Sequence, residues 1–63
     1  MFTVLIKDQN DNMIEKNTRE FIKASEAVKY LSNVFDWYSE NKEIRTIEMK
    51  QDERLILAKT TMA

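Results

Sequence analysis

The chain has sixty-three residues, 43% of them hydrophobic and 33% charged, with a formal net charge of −1. That balance excludes intrinsic disorder, which goes with fewer apolar groups. It also weighs against a nucleic-acid binder, because phosphate contacts call for a cationic excess. Cysteine, histidine, glycine and proline are all absent, so no disulfide, thiol or imidazole chemistry is available, and no glycine loop can cradle a phosphate. Neither a cofactor nor a metal is expected. The opening "MFTVLIKDQND" lacks the basic region and long apolar run of a signal peptide, and no segment has the apolar length of a membrane span. A cytoplasmic protein is the expectation.

Residues 2–7 alternate Phe2, Val4 and Ile6 against Thr3, Leu5 and Lys7, the pattern of a strand. "DQNDN", Asp8 to Asn12, is a turn cluster. Residues 13–23, "MIEKNTREFIK", read as a long second strand. Its apolar pairs Met13/Ile14 and Phe21/Ile22 are out of phase, which predicts a bulge or break near Asn17 and Thr18.

Helical spacing then runs over about 26–41, with Ser25 as the expected N-cap and Asn41 near the end. Ala27, Leu31, Val34 and Tyr38 share one face; Lys29, Asn33, Asp36 and Glu40 share the opposite one. Two further strands are predicted over 43–50 and 54–60, joined by "KQDE".

The expected architecture is a single small α+β domain over 1–63. Its order is ββαββ, a four-stranded sheet with one helix packed on one face. Strands 1 and 4 carry apolar residues on both faces, as central strands do. This favours the order 2-1-4-3 with strands 1 and 4 parallel; the all-antiparallel 2-1-3-4 is the alternative.

Three motifs resemble chemistry but lack the residues or the enclosure that it needs. Asp8, Asn10 and Asn12 are spaced like the opening of a calcium loop. Met13 stands where that loop needs glycine, however, and Arg19 where it needs a bidentate glutamate. "SENK", Ser39 to Lys42, matches the S-x-x-K of serine acylases, but a chain this short cannot enclose such a site. The carboxylate pairs Asp52/Glu53 and Glu40/Glu43 fall in turns or helix ends, without the burial that tunes a general acid. No enzymatic activity is expected.

What remains is a surplus of apolar surface. One helix covers one face of a sheet, yet Leu5, Ile56 and Ala58 point away from the side assigned to Val4, Ile6, Leu55 and Leu57. Ile14 and Ile44 are candidate neighbours on that far face, with Thr3, Lys7, Glu48 and Lys50 as a polar rim. Tyr30 and Trp37 lie along one edge of the helix's apolar arc, and such aromatics commonly anchor interfaces. A domain near the lower size limit for folding without staples gains from burying a second apolar face, and two-fold pairing is the commonest way.

The sequence therefore predicts a non-catalytic protein–protein interaction module. Its partner is itself, as a homodimer, or another protein, met through Leu5, Ile56 and Ala58 or through Tyr30 and Trp37. The alternative is single-stranded nucleic-acid binding on the open sheet, with Lys7, Lys16, Arg19 and Lys23 as the contacts.

Overall fold

The computed structural model describes residues 1–61. In chain order its elements are β1 (Phe2–Lys7), a 3₁₀ turn (Glu15–Asn17), β2 (Arg19–Phe21), α1 (Ala24–Glu40), β3 (Thr46–Gln51) and β4 (Arg54–Thr60). The four strands form one antiparallel sheet in the order β2-β1-β3-β4, and α1 packs on β1, β2 and β3. The expected ββαββ architecture is therefore present, with the all-antiparallel strand order.

The order 2-1-4-3 is incorrect for an identifiable reason. Along β3, Ile47 and Met49 are buried, whereas Glu48 and Lys50 on the other face are only half-buried. A central strand with one polar face is possible here because Lys7 of β1 reaches Glu48 at 3.4 Å. The apolar run Leu55–Ala58 of β4, read as a strand covered on both faces, lies on an exposed strand.

The core lies between α1 and the inner strands. Val4, Ile6, Ala27 and Ile47 are fully buried, and Leu31, Tyr38 and Met49 nearly so. Three of the four residues expected on the helix's inner face are thus buried, and Val34 packs against the same cluster. Lys29, Asn33, Asp36 and Glu40 are exposed.

The second strand is much shorter than predicted. After an isolated bridge between Lys7 and Met13, the chain turns through Glu15–Asn17, where the Thr18 amide donates to the Glu15 carbonyl at 3.0 Å. The break expected near Asn17 and Thr18 is this turn. Ile14 packs against the core from it, not on the far face. Helix α1 begins at Ala24, with Lys23 in the N-cap position and no side-chain cap bond. Ser25 therefore lies inside the helix and is not its cap.

At the other end, Asn41 is the C-cap. The amides of Lys42 and Glu43 donate to the carbonyls of Ser39 and Tyr38 at 3.1 and 3.0 Å. This is a Schellman ending, which needs a left-handed residue just past the cap. In this glycine-free chain Lys42 takes that place, at φ 56°. Strand β3 starts at Thr46, so the expected 43–50 begins three residues early.

Candidate interaction surface

The most exposed apolar stretch lies on β4. Leu55, Ile56 and Leu57 are 53%, 46% and 37% exposed, and Ala58 beside them is exposed as well. Two features of the fold cause this. The strand is at the end of the sheet, paired only with β3. The β3–β4 register also slips: Met49 pairs with Leu57 but Lys50 pairs with Leu55, leaving Ile56 as an extra residue. The slip turns Leu55 to the side of Lys50, away from the helix, so the sequence pattern that assigned Leu55 and Leu57 to one covered face breaks at Ile56.

The expected apolar patch on the far face of the sheet does not form as predicted. Leu5 is only 8% exposed. It sits between Thr3 and Lys7 on β1 and directly opposite Glu48. The Lys7 ammonium lies 3.4 Å from the Glu48 carboxylate and 3.6 Å from that of Asp11. These contacts raise the Lys7 pKa, chiefly through its bond to Glu48. The residues predicted as a polar rim thus occupy the middle of the face. Glu48 separates Leu5 from Ala58, its other cross-strand neighbour, so Leu5 and Ala58 stand about 10 Å apart. Of the three residues predicted to share that patch, Ile56 and Ala58 belong to the exposed edge and Leu5 does not. Ile44 is 41% exposed, outside the strands.

The two aromatics at the helix margin have different roles. Tyr30 is half-buried. Its hydroxyl donates to the Asn17 carbonyl at 2.6 Å and its ring lies 5.4 Å from that of Phe21, so it fastens α1 to the 3₁₀ turn. Trp37 is 55% exposed and meets the Tyr38 ring edge-on at 4.9 Å. It borders an open cleft of ≈ 650 Å³ with Ile14, Lys16, Val34 and Arg45. The Arg45 guanidinium lies over Tyr38, 5.3 Å from the ring centroid, and 3.4 Å from the Glu43 carboxylate. The cleft is therefore partly aromatic, with the cations Lys16 and Arg45 set against the single carboxylate of Glu43.

The four basic residues differ in what they contact. Lys7 is engaged by two carboxylates. Arg19 pairs in register with Val4, on the helix side of the sheet, and its Nη1 donates to the carbonyls of Lys16 and Thr18 at 2.9 Å each. Lys16 borders the cleft, and Lys23 precedes α1.

The Asp8–Asn12 turn uses its acid on its own backbone. Asp8 Oδ1 accepts from the amides of Asn10 and Asn12 at 2.8 and 3.0 Å, and the bond from the Asn12 amide is the main reason its pKa is lowered. Asp11 takes φ 67°, a conformation Asp tolerates. Among the described residues no group of three or more acids, cysteines or histidines is placed to hold a metal ion, and no helix is long and apolar enough to cross a membrane.

Comparison with protein families, with curated proteins and with solved structures finds no match for this chain.

Proposed function

We propose that this protein is a non-catalytic interaction module that associates with a second copy of itself through the free edge of β4. The reading rests on one observation: three consecutive large aliphatic residues, Leu55, Ile56 and Leu57, are exposed on the outermost strand. An outer strand presents unpaired backbone donors and acceptors, for which another strand is the natural complement. Burying leucine and isoleucine side chains in the same contact adds roughly 25 cal/mol per Å² of apolar area. A non-catalytic role is supported by a side-chain inventory without cysteine or histidine. It is also supported by the Asp8 carboxylate and the Glu43–Arg45 pair being taken up by local bonds.

Sedimentation of the wild type across micromolar to millimolar concentration tests the reading, with an Ile56→Lys/Leu57→Lys variant alongside. A concentration-dependent rise toward the dimer mass, lost in the variant, is the expected result. A wild type that stays monomeric throughout removes the proposal. Single-stranded nucleic-acid binding is the competing reading. It is disfavoured because Lys7 and Arg19, two of its four candidate contacts, are engaged within the fold. Titration of a labelled single strand at low salt separates the two readings.

A further inference from the structure

The register of β4 allows its pairing with a second copy to be specified, an inference that rests on the self-association proposed above. Past the slip at Ile56, residues Leu57 to Thr60 run in regular register against β3: Met49 with Leu57, Glu48 with Ala58, Ile47 with Lys59, Thr46 with Thr60. Leu57 and Lys59 therefore lie on the helix side of the sheet, and Ala58 and Thr60 on the far side. Residues directly opposite in an antiparallel pair share a face. In a two-fold pairing each residue must then meet a partner of its own parity within this stretch.

Three centres satisfy that condition near the apolar residues. A centre at Lys59 sets two ammonium groups against each other, which is unfavourable. A centre at Leu57 soon brings the irregular Leu55 and Ile56 of one copy against Ala58 and Lys59 of the other. Leu55, on the Lys50 side, would face Lys59, on the helix side, so the pairing fails after one step. A centre at Ala58 avoids both faults. Leu57, Ala58 and Lys59 of one copy meet Lys59, Ala58 and Leu57 of the other, all within regular strand. The Lys59 ammonium already rests over Phe35 of its own helix, 4.3 Å from the ring centroid. Its aliphatic stem is then the part that covers the exposed partner leucine. Ala58 itself carries the smallest side chain on the strand, which suits a close approach at the axis.

We infer that two copies pair antiparallel through β4 about Ala58. The two sheets join into one continuous layer, with both helices on the same side and Leu57 of each copy beneath the Lys59 stem of the other.

The natural absence of cysteine makes the test direct. Ala58 is exposed, so Ala58→Cys leaves the fold intact, and in this pairing it faces its own copy at a Cα separation of roughly 4.5–5.5 Å, within disulfide reach. Thr60→Cys would stand about 14 Å from its own copy, and Leu55→Cys about 20 Å, at roughly 3.4 Å per residue. Under mild oxidation Ala58→Cys should give a covalent dimer, while Thr60→Cys and Leu55→Cys give only the collisional background. If the wild type dimerises but cross-linking is strongest at Thr60 or Leu55, this pairing is overturned while self-association stands. If the wild type is monomeric by sedimentation and Ala58→Cys cross-links no faster than Thr60→Cys, both fall.

Discussion

The side-chain amide of Asn17 donates to the Tyr38 hydroxyl at 2.6 Å, joining the 3₁₀ turn to the last part of the helix across twenty-one positions of sequence. The same asparagine receives the Tyr30 hydroxyl on its backbone carbonyl. One residue thus ties a segment with no strand partner to both halves of α1. Tyr38→Phe should cost about 1 kcal/mol by leaving the amide without its acceptor. In a domain of this size that lowers the melting temperature by about 4–8 °C. Tyr30→Phe should cost a similar amount. Because the two bonds share Asn17, the double variant should depart from additivity, which a thermal double-mutant cycle would reveal.

Leu5 and Ile56 should respond oppositely to a charge. Leu5→Glu buries a carboxylate directly opposite Glu48, combining desolvation with like-charge repulsion. A loss of about 2–4 kcal/mol is expected, a large part of the roughly 3–9 kcal/mol available to a chain this long. Ile56→Lys, at an exposed position, should change the stability of the monomer by no more than about 0.5 kcal/mol. Urea denaturation of both variants at low protein concentration checks the contrast.

Thr61 should matter far more than its place beyond the last strand implies. It is only 1% exposed. Its hydroxyl accepts from the Arg45 amide at 2.8 Å and donates to the Glu43 carbonyl, satisfying backbone groups where the chain leaves the helix. Thr61→Val keeps the shape but removes both bonds, at a cost of about 1–3 kcal/mol. Thr61→Ser, which keeps the hydroxyl, should lose less. Denaturant midpoints of the two variants distinguish the hydroxyl's part from that of packing.

Two surface groups give opposite pH dependences. The Asp8 pKa is lowered in the fold, so its contribution is present above the ordinary value of 3.8 and disappears as pH falls through the lower folded value. The amides of Asn10 and Asn12 should lose their hydrogen-bond signature in that acid range, and Asp8→Asn should remove the transition. The Lys7 pKa is raised, so its contribution is complete below 10.5 and is lost as pH rises through the higher folded value. NMR titration of the two side chains measures both.

Much of the architecture is legible from periodicity alone. Alternation over residues 2–7 and helical spacing from Ala27 to Tyr38 each report a buried face, and those faces form the core. The polar run "EKN" and the phase change around it mark a real break. Strand order was harder to read, because an apolar residue on an outer strand looks the same in sequence as one on a covered strand. Only the pairing partner distinguishes Leu57 of β4 from Ile47 of β3. The register slip at Ile56 added to this, because one extra residue reverses which face its neighbours occupy. The burial of Leu5 was hidden for a related reason: the ion pair beside it joins Lys7 to Glu48, forty-one positions apart, through a β1–β3 pairing the sequence did not specify.

Lys42 holds the corner after the helix in a conformation that disfavours any residue with a Cβ, by roughly 1–2 kcal/mol. The other two left-handed positions among the described residues, Asp11 and Asp52, are aspartates, which bear that geometry more easily. Among the described residues the lysine is thus the one such corner filled by a residue with no local aptitude for it. Exchange for glycine or asparagine at this single site offers a route to a sturdier protein that touches neither the core nor the outer strand.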